Sequence, residues 1–292
     1  MAQSGFEVTL EGDEPDIPWA GSVLDGYDFS ASYVRCLARR AAPLVVIDDL
    51  LAPPSEAHLV INPAPGLKGR KIAGVTALLG PRYALVEARL SDAQIPIRDR
   101  IEHVLISFGL SDGNNASCLA IEALAILGAR GIKPRVTAVL GARAPHLEAV
   151  RKAIEQLDGR GELLVDASDM VGLLRSVDLA LGAGGVSLLE RMAVGVPSIS
   201  ISVAENQDRA VRGASALGAT LREGALSDLT PTRLAERIET LSADVAARAT
   251  MSAHAHRAVD GKGAARAAAA LLRLSDSIHG SSVSPPRALV MD

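Results

Sequence analysis

The amino-acid sequence predicts an α/β protein with two doubly wound parallel-sheet domains. Short apolar segments alternate with longer helical segments along most of the 292 residues, which is typical of parallel α/β architecture. The strand candidates are apolar almost throughout, as expected where a sheet is covered on both faces. The chain is also long enough to form two domains of ordinary size.

The first predicted domain comprises residues 1–97 and the second comprises residues 98–278. A Ser- and Pro-rich tail follows at residues 279–292. In the first domain we predict a helix at residues 30–40 and strands at residues 6–10, 22–25, 44–47 and 59–62. The predicted strands are expected to form a small sheet.

The second predicted domain contains more strand and helix units than the first. Its boundary with the first domain is expected in the polar stretch between residues 88 and 101. The predicted strands are residues 103–108, 135–140, 162–165, 177–181 and 198–203. The predicted helices are residues 116–128, 146–156, 187–194, 230–250 and 261–274, and residues 170–176 lie between two of the strands.

Composition argues against several classes of function. The net charge is −4 and 2% of residues are aromatic, so no basic stripe with interleaved rings is available for a nucleic acid. No segment approaches the roughly 20 apolar residues of a membrane span, and the N-terminus does not resemble a signal peptide, so we expect a cytoplasmic protein. Cys36 and Cys118 match no metal-binding spacing and no acidic metal triad is evident, so we expect neither a metal nor a cofactor. Nothing in the sequence indicates the oligomeric state.

The most informative segment is the glycine turn Gly182-Ala183-Gly184-Gly185, which lies between a predicted strand and a predicted helix. Glycine has no Cβ and accepts positive φ, so the backbone can approach a ligand closely here. The helix that follows presents unpaired N–H groups and partial positive charge, which suit a phosphate or diphosphate. Glu190 lies early in this helix and is placed to bind the paired hydroxyls of a ribose. A glycine turn occurs in any α/β crossover, so the additional polar groups are what favour a nucleotide site.

A cluster of three polar side chains, Glu205, Asn206 and Gln207, follows the predicted strand at residues 198–203. Open α/β sheets keep their ligand groups at the carboxyl ends of their strands. We therefore expect this cluster to face the same ligand as the glycine turn.

A second loop between a strand and a helix, at residues 109–115, has similar potential. The N–H groups of Gly109 and Leu110 and the Ser111 hydroxyl are candidate diphosphate ligands, while helix capping is the alternative use of the same geometry. Asp48 and Asp49 end another predicted strand, where carboxylates either support the turn or face a cleft. None of the six histidines stands in a motif that indicates a general base.

With these motifs in order, the chain resembles GT-B nucleotide-sugar enzymes, and in particular the UDP-2,4-diacetamido-2,4,6-trideoxy-β-L-altropyranose hydrolases of pseudaminic acid biosynthesis. The segment from the glycine turn to Glu190 is similar to that family's GAGGST-x-WE helix start, and residues 204–207 match its AENQ cluster. Four further similarities concern its SFGGSD, VIDDL, GP-x-YALL and VDG-x-GA motifs, at residues 107–112, 46–50, 79–85 and 259–264. The resemblance spans residues 6–274.

The resemblance implies a GT-B-like fold with a UDP-sugar bound across the cleft between two domains. Water would attack the sugar and UDP would leave. The implied diphosphate and ribose ligands are Gly109, Leu110, Ser111, Gly184, Gly185, Ser187 and Glu190. Glu205, Asn206 and Gln207 would face the sugar or the β-phosphate, and Tyr27 and Asn206 would assist the reaction. For Tyr27, a partly buried ring with a satisfied hydroxyl is the structural alternative.

The sequence departs from the family's pattern at three places. The family's G-x-GH-x-x-R turn, whose histidine is held to perform catalysis, has no counterpart, so a truncated N-terminal domain is expected. Gly26 stands where the family has the histidine of an Asp-His-Tyr motif, and Leu110 stands where it has a glycine. The resemblance predicts a UDP-sugar hydrolase for flagellin or surface glycosylation. A sugar transferase that uses the same UDP site and a catalytically silent UDP-sugar-binding protein are the alternatives.

Overall fold

The computed structural model describes residues 21–26, 29–40, 43–50, 52–67, 71–91 and 94–279 of the chain. Within these ranges it contains two parallel β-sheets with helices packed on them, which confirms the predicted fold class. The predicted strand at residues 6–10, Tyr27 and residues 280–292 of the predicted tail lie outside the described ranges.

The first sheet has four described strands in the order β1-β2-β3-β4, all parallel. Their bounds are β1 Ser22–Asp25, β2 Leu44–Ile47, β3 Leu59–Asn62 and β4 Thr76–Leu79. Helix α1, Ala31–Arg40, covers one face of this sheet with Val34 and Leu37. Strand β4 was not predicted, because its sequence Thr-Ala-Leu-Leu contains a single β-branched residue and so carries a weak strand signal.

The second sheet has six parallel strands in the order β10-β9-β8-β5-β6-β7. Their bounds are β5 His103–Ser107, β6 Arg135–Leu140, β7 Gly161–Val165, β8 Leu179–Ala183, β9 Ser198–Ser202 and β10 Leu221–Ala225. The chain runs outwards from β5 to β7, returns to β8 on the other side of β5, and runs outwards again. The strand order therefore reverses between β5 and β8, and such a reversal is where doubly wound folds bind ligands.

Seven helices accompany the second sheet within the described ranges. Their bounds are α2 Ala116–Ala129, α3 Leu147–Glu155, α4 Met170–Ser176, α5 Val186–Val194, α6 Glu205–Ala216, α7 Pro231–Ala243 and α8 Val245–Ala258. Helices α2, α3 and α7 pack on one face of the sheet, whereas α4, α5 and α6 pack on the other.

The prediction of a single helix at residues 230–250 was wrong. The structure has two helices, α7 and α8, which meet at Asp244. The Asp244 carboxylate accepts a hydrogen bond of 2.8 Å from the N–H of Ala247, so it caps a new helix start. The continuous helical composition of this segment hides the break, because Asp is also common on exposed helix faces.

The last helix, α9 at Gly263–His279, packs on the first sheet although it follows the second sheet in the chain. Its Ala267 lies in one apolar cluster with Val45, Leu59 and Ile61 of the first sheet. The sequence assigned this segment to the second domain, because no local signal shows that the chain crosses back. The division of the chain at residues 97 and 98 stays a prediction.

The connection before β5, at residues 98–102, is held against the second domain by two buried charged side chains. Arg248, which is fully buried, donates hydrogen bonds of 2.8 and 2.9 Å to the carbonyl oxygens of Arg98 and Asp99. The buried carboxylate of Asp178 forms an ion pair of 2.6 Å with Arg98 and accepts hydrogen bonds from the N–H groups of Glu102 and His103. In the described part of the chain, no helix is long and apolar enough to cross a bilayer.

Candidate functional site

The two predicted ligand loops leave the second sheet side by side. Strands β5 and β8 are hydrogen-bonded neighbours, and Ser107 is in register with Gly182. Gly109 and Gly184 each lie two residues beyond this pair. Since adjacent strands are about 4.8 Å apart, both loops begin at the same point on the carboxyl edge of the sheet. That point is the reversal of strand order.

The three glycines of the glycine turn serve different purposes. A Cβ on Gly182 would overlap the guanidinium of Arg191 and lie 2.7 Å from the carbonyl oxygen of Ser107. A Cβ on Gly184 would lie 2.8 Å from both Gln207 Cβ and Val211 Cγ2. Gly182 and Gly184 therefore make room for the protein's own side chains.

Gly185 differs from the other two glycines. It has φ of 116° and ψ of −157°, a conformation that is essentially restricted to glycine. A Cβ built there would meet nothing within 4 Å among the described residues. Of the three glycines, Gly185 is therefore the one that allows close approach from outside the protein.

The start of α5 is open to an anion. Gly185 is its N-cap, and among the described residues no side chain caps the helix and no acidic residue lies in its first turn. Val186 is 63% exposed and Ser187 is partly exposed. The unpaired N–H groups and partial positive charge of this helix start therefore face outwards.

The start of α2 is occupied by a carboxylate of the protein itself. Asp112 accepts hydrogen bonds of 2.9 Å from the N–H groups of both Ala116 and Ser117. Capping is thus what the structure shows for this loop, and a second anion at the same N–H groups would be repelled. Gly109, Leu110 and Ser111 are exposed ahead of this cap, and their contact with a diphosphate stays a prediction.

Glu190 lies on α5 one turn after the open helix start and is partly exposed. Burial raises the pKa of its carboxyl group, the neighbouring Arg191 opposes this rise, and the Glu87 carboxylate adds to it. A carboxylate that is poorly hydrated gains more from hydrogen bonds that a ligand hydroxyl donates.

The polar cluster Glu205, Asn206 and Gln207 forms the first turn of α6, which the sequence did not predict as a helix. Consecutive residues of a helix point about 100° apart, so the three side chains diverge. Asn206 and Gln207 line a cavity between the two domains, whereas Glu205 lines a different cavity. The structure therefore does not bring all three side chains to one surface. Gln207 Oε1 also accepts a hydrogen bond of 3.2 Å from the N–H of Gly184, so it supports the glycine turn.

The cavity between the domains has a volume of about 90 Å³. Its second-domain wall includes Gly185, Val186 and Asn206, and its first-domain wall includes Asp49 and residues 63–65. The open helix start thus faces the carboxyl ends of the first sheet across this space.

The second cavity is larger, at about 980 Å³, and lies on the other side of α6 near β10. Its arginines are all paired with carboxylates of Asp208 or Glu223, whereas Glu205 and Asp228 are in no ion pair among the described residues. Asp208 forms an ion pair of 3.0 Å with Arg222, and Glu223 forms one of 3.3 Å with Arg233. The positive charges of this cavity are therefore already compensated within the protein.

Asp48 and Asp49, which end β2, have different surroundings. Asp48 is buried, and its Oδ1 accepts a hydrogen bond of 2.8 Å from the N–H of Leu50, so it supports the turn. Asp49 is exposed and lines the cavity between the domains. The sequence left both uses open for the pair, and of the two carboxylates only that of Asp49 lines the cavity between the domains.

The structure describes the side chains of five histidines. None of them lines the cavity between the domains or the larger cavity. The buried His103, for example, forms a hydrogen bond of 2.8 Å between its Nε2 and Thr137 Oγ1, and burial lowers the pKa of its imidazole. In the described ranges no group of three His, Cys, Asp or Glu side chains is arranged to hold a metal ion.

Two parallel-sheet α/β domains with a cleft between them define a GT-B-like fold, and solved glycosyltransferases share this architecture. The crystal structure of MurG from Acinetobacter baumannii matches with a TM-score of 0.58 and 15% identity, covering 79% of this chain and 68% of that chain. The spinosyn rhamnosyltransferase SpnG, complexed with thymidine diphosphate, matches with a TM-score of 0.51 and 16% identity, covering 78% of this chain and 67% of that chain. At these identities the likeness concerns the fold alone.

In sequence, the chain is similar to the spore coat polysaccharide biosynthesis protein SpsG of Bacillus subtilis strain 168. The two are 29% identical over 197 residues, which are 66% of this chain and 57% of that protein. The chain therefore matches little more than half the length of this relative. No protein-family model matches the chain.

Proposed function

We propose that this chain binds a UDP-sugar at the start of α5 and cleaves the bond between the sugar and the diphosphate. The observation that carries the proposal is the open helix start behind Gly185, at the point where the strand order reverses. In this proposal the N–H groups of Gly185, Val186 and Ser187 bind the diphosphate. Glu190 accepts hydrogen bonds from the ribose hydroxyls.

The similar proteins support the same class of ligand. SpnG is described in complex with thymidine diphosphate, which is a nucleoside diphosphate. SpsG is named for polysaccharide biosynthesis, which consumes activated sugars. The motifs that resemble the hydrolases of pseudaminic acid biosynthesis favour a 2,4-diacetamido-2,4,6-trideoxyhexose as the sugar, for flagellin or surface glycosylation.

Cleavage requires a group that accepts a proton and groups that stabilise the departing diphosphate. As an oxygen nucleophile bonds to the anomeric carbon, the bond from that carbon to the β-phosphate oxygen breaks, and UDP leaves with the electron pair. The N–H groups at the start of α5 stabilise the charge on UDP. Asp49, across the cavity, is the described carboxylate that we assign as the proton acceptor. Asn206 lines the same cavity and is suited to contact the sugar, while the role of Tyr27 stays a prediction.

The nature of the nucleophile distinguishes a hydrolase from a transferase. Our first candidate is water, and the glycosyltransferase fold favours an acceptor hydroxyl as the second candidate. The test is to incubate the purified chain with the UDP-diacetamido-trideoxyhexose and to measure UDP with and without candidate acceptors. Release of UDP without an acceptor supports the hydrolase. Release only with an acceptor supports the transferase, and retained UDP binding without any release indicates a silent binding protein.

Glu190→Gln is expected to raise the dissociation constant for UDP by about 10- to 100-fold, because a neutral amide accepts hydrogen bonds from the ribose less strongly than a carboxylate. Isothermal titration calorimetry with UDP measures this effect. Glu155→Gln, on an exposed position of α3, is the matched control and should bind UDP like the unmodified chain.

The pH dependence of UDP binding provides a second readout for Glu190. Its pKa is raised, so the carboxylate becomes protonated at a higher pH than a fully hydrated glutamate. The affinity of the unmodified chain for UDP should therefore fall more steeply with decreasing pH than that of Glu190→Gln. Titration of UDP itself affects both proteins equally. Parallel pH profiles, or equal affinities at neutral pH, would contradict the assignment of Glu190 to the ribose.

A further inference from the structure

A buried arginine, Arg191, lies directly beneath the open helix start. It is 1% exposed, and its guanidinium packs against the backbone of Gly182. Its Nη2 donates a hydrogen bond of 2.6 Å to the carbonyl oxygen of Ala183, the last residue of β8. Its Nη1 donates to Ser187 Oγ at 3.3 Å, in the first turn of α5. Its Nη2 also donates to Ser200 Oγ of β9 at 3.3 Å. The guanidinium therefore connects β8 and β9 with the first turn of α5.

The charge of Arg191 is not balanced by an ion pair. In the part of the chain that the structure describes, none of the ion pairs includes Arg191, and its buried Nε has no hydrogen-bond partner. Burial lowers the pKa of Arg191 to about 10, with Glu190 opposing the change, so the side chain is still a cation at neutral pH. A buried charge without a counter-ion is costly, and proteins seldom keep one without a use.

A second buried arginine shows what a purely structural role looks like in this protein. Arg248 is equally buried, but it donates to the carbonyl oxygens of Arg98, Asp99, Leu241 and Ser242. These bonds hold a connection against a helix end, and none of the residues involved lines the cavity between the domains. Arg191 makes three bonds, two of which reach Ala183 and Ser187 on either side of the open start of α5, while the third reaches Ser200 of β9.

We propose that Arg191 supplies the buried positive charge that a bound diphosphate neutralises, and that it orients Ser187 toward this ligand. This inference rests on the proposed diphosphate site at the start of α5. Because Ser187 Oγ accepts a hydrogen bond from Arg191, its own O–H is free to donate to a phosphate oxygen. Arg191 itself is a positioning residue, because it lies under the turn and does not reach the ligand's side of it.

The experiment compares the binding of UDP with the binding of uridine, which lacks the phosphates. Arg191→Met removes the charge and keeps most of the apolar stem, whereas Arg191→Lys keeps a positive charge. We expect Arg191→Met to weaken UDP binding by about 10- to 100-fold and to leave uridine binding within about two-fold. Arg191→Lys should recover most of the lost affinity, and Arg248→Met is the matched control for losing a buried arginine.

The outcomes separate this inference from the proposed function. If the unmodified chain binds no UDP, the proposed site itself is wrong. If it binds UDP and Arg191→Met binds UDP equally well, or loses uridine and UDP affinity in the same proportion, the role of Arg191 is wrong. Equal losses of UDP affinity in Arg191→Met and Arg248→Met would likewise overturn it.

A measurement on the unmodified chain covers the case in which Arg191→Met does not fold. Nitrogen-15 NMR of arginine side chains, with Arg191→Lys used for assignment, follows the guanidinium directly. Saturation with UDP should shift the Arg191 signals, and saturation with uridine should leave them in place. Arg191 signals that do not respond to saturating UDP would overturn the inference.

Discussion

Asp49→Asn is expected to reduce kcat for UDP release by about 10²- to 10⁴-fold while leaving the dissociation constant for UDP unchanged. Asparagine has nearly the same shape as aspartate but accepts no proton at neutral pH. Asp49 lines the first-domain wall of the cavity, opposite Gly185 and Val186, so its loss removes the proton acceptor and spares the anion site. The measurement is a UDP-release assay with the UDP-diacetamido-trideoxyhexose, alongside UDP calorimetry.

The control for Asp49→Asn is Asp228→Asn, because Asp228 is an exposed carboxylate on the wall of the larger cavity. This variant should keep the kcat of the unmodified chain. A normal kcat in Asp49→Asn would refute the assignment of Asp49 as the proton acceptor. A kcat that falls only in Asp228→Asn would move the chemistry to the larger cavity.

Gly182→Ala is expected to destabilise the folded chain by about 3 kcal/mol. The new methyl group would overlap the Arg191 guanidinium and would lie 2.7 Å from the carbonyl oxygen of Ser107. That oxygen belongs to the backbone of β5 in the middle of the sheet, so it cannot move without disturbing strand pairing. The midpoint of urea unfolding should fall while the slope of the transition is unchanged.

Gly113→Ala is the control for Gly182→Ala. Gly113 lies in the loop before α2, has no positive φ, and has nothing within 4 Å of a built Cβ among the described residues. Its substitution should change the free energy of unfolding by less than about 0.5 kcal/mol. Equal unfolding midpoints for the two variants would show that the glycine turn tolerates a side chain and that the described packing around Gly182 is wrong.

Much of the fold could be predicted because the inner strands carry their own signal. Strand β6, for example, contains Val136, Ala138, Val139 and Leu140, so its apolar residues lie on both faces, and this pattern depends only on local composition. Helix α6 and strand β10 lack such a signal. Only Val211, Gly213 and Ala214 are buried in α6, and β10 contains Arg222 and Glu223, which form ion pairs. Long-range contacts define these two elements, and a single sequence does not display them.

The candidate site also contains some residues that could be predicted from the sequence and others that could not. The glycine turn and Glu190 could be recognised because their spacing along one helix start is a local property. Arg191 was not predicted as a site residue, because in the sequence it is one of many charged residues in a helix, next to Glu190. Only the packing of α5 on β8 shows that it is buried beneath the turn. Asp49 could not be separated from Asp48 without knowing which carboxylate faces the second domain.

The position of α9 has a consequence for the order in which the protein can fold during its synthesis. One face of the first sheet, with Val45, Leu59 and Ile61, is covered by residues such as Ala267 that leave the ribosome after the whole second sheet. Domains usually fold in the order of their translation. Here the core around the second sheet can form first. The apolar face of the first sheet, although translated earlier, is covered only after α9 has been synthesised.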